Sequence, residues 1–119
     1  MEDLDTELLG QLQRWHEEDQ YQRIIDAIEA IPQPERGYEL TCQLARAYNN
    51  LAGPEEAGPL EKSVSLLESI ADQGQEDPLW HYRLGYALFY LDREEEALPH
   101  VQRAAELDPQ DPDAAEFIR

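Results

Sequence analysis

The sequence predicts an all-α fold, built as a solenoid of antiparallel helix pairs. Apolar residues recur at spacings of three and four along most of the chain, as on one face of a helix. Proline follows aspartate at both Pro78 and Pro112, which are 34 residues apart, and this interval indicates a repeated unit. Glycine, proline and aspartate, which end helices and form turns, separate the helical segments.

The clearest unit covers residues 78–111. Asp77 is placed to cap its first helix, and Pro78 takes the first helical position, where the missing N–H costs no hydrogen bond. Asp92 is placed to end that helix and to cap the second one. Pro99 falls inside the second helix, and we expect a kink or a late start there. The apolar stripes hold Leu84, Gly85, Ala87, Leu88 and Leu91 in the first helix and Ala97, Leu98, Val101, Ala104, Ala105 and Leu107 in the second.

Two further units precede this one, at residues 5–37 and 38–77. The unit 38–77 is 40 residues long because a loop with two glycines and a proline separates its two helices. Pro59 begins the second of these helices. Residues 112–119 begin another unit and are expected to form a partial capping helix. The chain 1–119 is therefore predicted to be a single domain of about three repeats plus a partial C-terminal helix.

The charge of the chain is strongly negative. Nine lysines and arginines stand against 27 aspartates and glutamates, which gives a net charge of −18. Nucleic acid is excluded as a partner, because its affinity for proteins comes mainly from Lys and Arg on phosphate. An anionic membrane surface is excluded for the same reason. The expected partner is a protein or peptide that is basic or neutral.

Small and apolar residues in the 78–111 unit follow a known order. Leu84 and Gly85 form a Leu-Gly pair, Leu88 follows at the next helical position, and the second helix has alanine at 97 and 104 with Val101 between them, before Pro109. This order of residues resembles the repeat pattern of the tetratricopeptide repeat (TPR) family, as found in TPR proteins of the bacterial type. At the position where the family pattern has tryptophan, this chain has His81, and Trp80 lies one position earlier. The resemblance implies a TPR-like superhelix and a non-catalytic module for protein–protein interaction.

In the TPR family, the first helix of each pair lines a concave groove that holds ligands. The resemblance therefore implies groove-facing positions on the first helices of this chain, and aromatic residues and arginine are typical anchors of protein interfaces. The alternative, that some of the tyrosines pack into the core, stays open. The expected ligand-groove residues are Arg46, Asn49, Asn50, Tyr82, Tyr86, Phe89 and Tyr90.

We expect no catalytic residue, no cofactor and no metal site. The histidines His16, His81 and His100 are expected to lie far apart, with no metal-ligand or triad spacing. Cys42, the only cysteine, is expected to be a structural thiol. An enzyme or a metal-binding protein is therefore the less favoured alternative.

Two further expectations concern the cellular compartment and the oligomeric state of the protein. The N-terminus lacks the basic and apolar regions of a signal peptide, which predicts a cytoplasmic protein. The short last helix should leave an apolar edge beside Leu98 and Val101, and we expect a symmetric homodimer through this C-terminal edge. The alternative to a binding module is the N-terminal repeat region of a larger protein, or a self-associating scaffold.

Overall fold

The computed structural model describes residues 2–52 and 56–110, and all the secondary structure in these residues is helical. The predicted all-α class is therefore confirmed. The helices are α1 (Glu2–Glu17), α2 (Tyr21–Glu29), α3 (Gln33–Leu51), α4 (Ala57–Glu68), α5 (Ala71–Gly74), α6 (Pro78–Tyr90) and α7 (Glu94–Leu107).

The helices pack mainly against their neighbours in chain order. α1 contacts α2, α2 contacts α3, α3 contacts α4, and α6 contacts α7 most extensively of all. α6 also packs against both α3 and α4, while α5 is a single turn between α4 and α6. The helix α3 is therefore shared: it closes the N-terminal part of the molecule and supports α6.

Two apolar clusters form the core, and α3 contributes to both. The first cluster lies among α1, α2 and α3, where Leu12, Ile24 and Ile28 are almost fully buried. The second lies among α3, α4, α6 and α7 and contains Leu67 and Leu84. Each such leucine or isoleucine stabilises the fold by about 1.5–3 kcal/mol relative to an exposed side chain. In the 78–111 unit, six residues of the predicted apolar stripes are buried: Leu84, Ala87, Leu88, Ala97, Val101 and Ala104.

Trp80 lies at the centre of the second cluster and is only 2% exposed. Its indole N–H donates a hydrogen bond of 2.8 Å to the carbonyl of Leu67, in the last turn of α4. A buried indole needs such a partner, and the last turn of a helix offers carbonyl groups without intrahelical partners. Trp80 is therefore a core residue although it stands one position before the tryptophan place of the repeat pattern.

Asp77 caps α6 as predicted. Its Oδ1 accepts a hydrogen bond of 3.0 Å from the main-chain N–H of Leu79, and Pro78 occupies the first turn. Its Oδ2 accepts a second bond, of 2.6 Å, from the hydroxyl of Tyr38 in α3. The same carboxylate therefore begins α6 and holds the start of this helix against α3.

The prediction that Asp92 caps α7 was wrong. Asp92 has a φ of 63°, in the left-handed region, and it closes the turn after α6. Arg93 takes the cap position without a side-chain cap bond, and its guanidinium pairs with Glu96 at 2.7 Å. Because an aspartate tolerates the left-handed conformation well, the tight turn uses it there instead.

Gly37 has a φ of 72° inside α3 and divides a short first turn from the main helix. Only glycine adopts this conformation at little cost, so the position acts as a break. The main part of α3 therefore starts at Tyr38, which is where the sequence places the beginning of the second unit.

Two predictions for α7 need correction. The helix does not start late: it runs from Glu94 to Leu107 with Pro99 on its exposed side. The alternative, a kink at Pro99, stays a prediction. Leu98 is 47% exposed and does not belong to the inner face. Ala97, Val101 and Ala104 form that face, and Leu98 is turned away because the next residue of a helix lies about 100° around its axis.

Gly85 allows α6 and α7 to approach closely. A Cβ atom at this position would lie 2.5 Å from Cγ2 of Val101 and 3.3 Å from the carbonyl oxygen of Ala97. Both distances are shorter than an ordinary van der Waals contact, and the second involves backbone, which has little room to shift.

We expect the substitution Gly85→Ala to destabilise the protein by about 1–3 kcal/mol, because the methyl group overpacks the α6–α7 crossing. Gly10→Ala is the matched control, since a Cβ at Gly10 in α1 meets nothing within 4 Å. That control should be neutral or stabilising by up to about 1 kcal/mol, because alanine favours helix more than glycine does. Urea denaturation followed by circular dichroism measures both, and an equal effect of the two substitutions would contradict the close crossing.

Candidate binding cleft

A cleft of about 270 Å³ opens where α1, α3 and α6 meet. Its described lining contains basic, amide and aromatic side chains with one leucine, and no acidic residue. The lining residues are His16, Arg46, Asn49, Asn50, Leu79, Tyr82, Arg83 and Tyr86.

The α3 side of the cleft consists of Arg46, Asn49 and Asn50, one helical turn apart. Asn49 is buried, and its side-chain N–H donates a bond of 3.1 Å to the main-chain carbonyl of Arg83. This bond joins α3 directly to α6. Because α6 also holds Tyr38 through Asp77, the two helices are connected at two separated points.

The α6 side is largely aromatic. The ring centroids of Tyr82 and Tyr86 are 6.4 Å apart, and those of Tyr86 and Tyr90 are 4.8 Å apart, so the three rings follow one another along the helix. Leu79 stands at the rim and is 48% exposed. The α6 side therefore offers a wall of rings to a ligand in the cleft.

Five of the seven expected ligand-groove residues line this cleft: Arg46, Asn49, Asn50, Tyr82 and Tyr86. Phe89 and Tyr90 do not line it. They lie at the C-terminal end of α6, where the Phe89 ring meets the Tyr90 ring edge-on at 5.2 Å, and both are more than one third exposed.

Arg83 lines the cleft but was not among the expected groove residues. A signal for it exists in the sequence, because Leu79, Arg83 and Tyr86 are spaced four and three residues apart and so share one face of α6. The residue is 9% exposed, which is unusual for an arginine. Its burial could not be expected from the sequence, because it depends on how α3 packs over α6.

Three basic groups come close together in the cleft. The pKa of the His16 imidazole is lowered by burial first and then by the positive charges of Arg46 and Arg83. The pKa of Arg46 is lowered by burial and by Arg83. His16 is therefore neutral at neutral pH, and the two guanidinium groups carry the charge of the site.

The structure corrects the expectation that the histidines lie far apart. Nδ1 of His81 lies 3.1 Å from Nδ1 of His100, and Nε2 of His81 lies 2.8 Å from the carbonyl oxygen of Gln75. That carbonyl only accepts, so Nε2 of His81 donates to it, and Nδ1 of His81 accepts from His100 when the His81 ring is neutral. His16 belongs to the cleft and is separate from this pair.

The His81–His100 pair has the geometry of a hydrogen bond. The ring centroids are 5.4 Å apart, so the two Nδ1 atoms point almost directly at each other, whereas ligands of one metal ion point to a common centre beside them. No group of three or more potential metal ligands occurs among the described residues. The pair packs against the ring of Trp80 and belongs to the core around it.

Cys42 is buried in α3. Burial raises the pKa of its thiol to about 11, and the neighbouring Tyr38 hydroxyl only partly offsets this effect. The thiol is therefore protonated at neutral pH, whereas a nucleophilic cysteine requires the thiolate.

The sequence matches no protein-family model, and neither a curated protein nor a solved structure is significantly similar to the chain. Within residues 2–52 and 56–110, no helix has the length and apolar character needed to cross a membrane.

The histidine pair predicts how stability depends on pH. The pKa of His100 is lowered by burial and by His81, so the unfolded chain binds a proton more readily than the folded one. The free energy of unfolding should therefore fall as pH drops below about 6.5. We expect His100→Gln, whose amide can still donate to His81, to make this decline shallower. Urea denaturation of the wild-type protein and of His100→Gln, at a series of pH values from about 7 to about 5, measures the decline. If the free energies of unfolding of the two proteins fall in parallel, His100 is not the group that causes the decline.

Proposed function

We propose that this chain is a non-catalytic protein–protein interaction module of the TPR type, and that the cleft among α1, α3 and α6 binds a peptide segment of its partner. The observation that carries the proposal is the lining of the cleft, where Tyr82 and Tyr86 face Arg46 and Asn50. Tyrosine and arginine supply most of the strong contacts at protein interfaces.

The geometry of the cleft favours a peptide over a globular surface or a small cofactor. The rings of Tyr82 and Tyr86 lie along the helix with centroids 6.4 Å apart, which is close to the spacing of about 6.6 Å between alternate side chains on one face of an extended segment. Amide groups such as that of Asn50, which is exposed, suit the main-chain N–H and C=O groups of such a segment.

The TPR assignment is supported by the residues of the repeat pattern. Leu84 and Gly85 of α6 and Ala97 of α7 are buried at the crossing of their two helices, which is the role that the pattern gives to them. A cleft formed by α1, α3 and α6, the first helices of the three helix pairs, is also what a TPR superhelix would place on its concave side.

A second candidate is a self-associating scaffold, or the N-terminal repeat region of a larger protein. Leu98 on α7 is 47% exposed and would belong to the contact surface of such an assembly. The predicted capping helix 112–119 lies outside the described residues, and the expected homodimer through the part of the C-terminal edge that this helix leaves uncovered stays a prediction. Both candidates are compatible with a ligand in the cleft, which is at a different place in the fold.

A peptide selected from a random display library tests the proposal without knowledge of the natural partner. We expect Tyr86→Ala to weaken binding of the selected peptide by about 2 kcal/mol or more, because it removes a ring from the centre of the contact. Tyr90→Ala is the matched control, since Tyr90 does not line the cleft, and it should cost much less.

Isothermal titration calorimetry measures both affinities, and circular dichroism checks that each variant is folded. Equal losses for Tyr86→Ala and Tyr90→Ala would place the peptide outside the cleft. If Tyr86→Ala does not fold while Tyr90→Ala does, Tyr86 belongs to the core, and the cleft wall is structural.

A further inference from the structure

The contact between His81 and His100 joins the start of α6 to the middle of α7. Nδ1 of His81 faces Nδ1 of His100 at 3.1 Å, and Nε2 of His81 is held by the carbonyl of Gln75, in the connection between α5 and α6. His81 is only 5% exposed, whereas His100 is half-buried and accessible to protons from solvent. One buried ring therefore links this connection, α6 and α7.

The contact has room for one hydrogen atom between the two Nδ1 atoms. With both rings neutral, His100 donates this hydrogen and His81 accepts it. A first proton, on Nε2 of His100, leaves the bond in place, because Nδ1 of His100 keeps the hydrogen that it donates. A second proton, on Nδ1 of His81, replaces the acceptor by a donor. Two N–H groups of two positive rings then point at each other, and the contact is lost.

The charges that act on His100 oppose a proton in the closed contact. Burial lowers the pKa of His100, and the neighbouring His81 ring lowers it further. The carboxylate of Glu96, one helical turn earlier in α7, offsets these effects only in part, and Arg93 pairs with the same carboxylate at 2.7 Å. A pair of rings that has separated into water therefore binds protons more readily than the closed pair does.

The charged groups on the connection before α6 leave the histidine contact as the main polar link to α7. Glu76 pairs with Arg103 of α7 at 3.4 Å, but both side chains are more than one third exposed, and such pairs contribute little to stability. Asp77 is engaged elsewhere, because its carboxylate caps α6 and accepts a hydrogen bond from Tyr38.

The helix α7 depends on α6 for its place in the fold, whereas α6 is held by other helices as well. α7 packs mainly against α6. α6 is joined to α3 by the bond from Asn49 to the Arg83 carbonyl, and to α4 by the bond from Trp80 to the Leu67 carbonyl. Amide, indole and main-chain carbonyl groups do not titrate between pH 5 and pH 7. Loss of the histidine contact therefore loosens α7 and leaves α6 in position.

We propose that the His81–His100 pair is a pH-sensitive switch, which releases α7 from α6 when both rings are protonated. Release exposes the inner face of α7, formed by Ala97, Val101 and Ala104. The cleft is not opened, because Tyr82 and Tyr86 lie about 100° and 140° around the axis of α6 from His81. The inference is independent of the proposed function, and it concerns a local opening and not the stability of the whole protein.

The direction and steepness of the switch follow from the number of protons in each state. The open pair, with both rings in water, binds up to two protons below about pH 6.5, and the closed pair binds at most one. Opening therefore takes up protons and becomes more favourable as pH falls. Each proton taken up raises the fraction of open molecules about tenfold for every pH unit below that value.

Native-state hydrogen exchange, followed by NMR on the full chain, measures opening at single amides. The amides of Val101 and Ala104 report on α7, and those of Ile28 and Leu44 in the first cluster are the reference. From about pH 7 to about pH 5.5, after correction for intrinsic exchange rates, we expect the protection of the α7 amides to fall about tenfold or more. Low concentrations of urea should hardly change their exchange, because a local opening exposes little surface, whereas the reference amides should exchange faster.

Two variants test the role of the histidine pair. In His100→Gln the amide can still donate to His81 but binds no proton, so the fall in α7 protection should be at least about threefold smaller than in the wild-type protein. His16→Gln is the matched control, since it removes a histidine that lines the cleft and leaves the pair unchanged. It should show the same fall in α7 protection as the wild-type protein.

Each result decides the inference. If the α7 amides at pH 5.5 follow the same urea dependence as the reference amides, the protein unfolds as a whole and no local release exists. An equal fall in protection for His100→Gln and the wild-type protein would show that other groups cause the opening. If that variant does not fold, the imidazole ¹⁵N signals of the unmodified protein decide instead. A His81 ring with hydrogen on both nitrogens, while α7 stays protected, would overturn the switch.

Discussion

The hydrogen bond from the Asn49 amide to the Arg83 carbonyl fixes the way in which α3 faces α6. The main-chain N–H groups inside a helix are already used, so a side-chain donor that reaches a neighbouring helix's carbonyl sets the distance between the two axes. Arg46 of α3 and Tyr82 of α6 both line the cleft between these helices. The other side of α6 is equally constrained, since Gly85 brings α7 close to it. The helix thus carries a core face and a cleft face.

A cleft held in this way is formed before any ligand binds. The start of α6 is fixed to α3 by the Asp77–Tyr38 bond and to α4 by the indole of Trp80. The tyrosine rings on α6 are attached to a helix whose opposite face is buried, so little backbone entropy is lost on binding, and preorganised sites bind more tightly for this reason.

Local features of the fold could be predicted from the sequence because they depend on single positions. The aspartate cap at Asp77 and the close contact at Gly85 follow from residue chemistry, and five cleft residues were expected from the resemblance to the TPR family. Features that depend on the angle between helices could not: the burial of Arg83, the exposure of Leu98 and the meeting of His81 with His100 are set by packing. The role of Asp92 was missed because aspartate serves both as a helix cap and as a left-handed turn residue, and the sequence does not separate these uses.

The central claim is that a partner peptide lies in the cleft between α3 and α6. Site-specific photo-crosslinking tests it directly, with the photoreactive residue p-benzoylphenylalanine placed at Leu79 in one protein and at Leu98 in another. These leucines are 48% and 47% exposed, so they differ in location and hardly in accessibility. The account predicts that a selected peptide crosslinks from position 79, at the rim of the cleft, and not from position 98 on α7. Crosslinking from position 98 alone would contradict it.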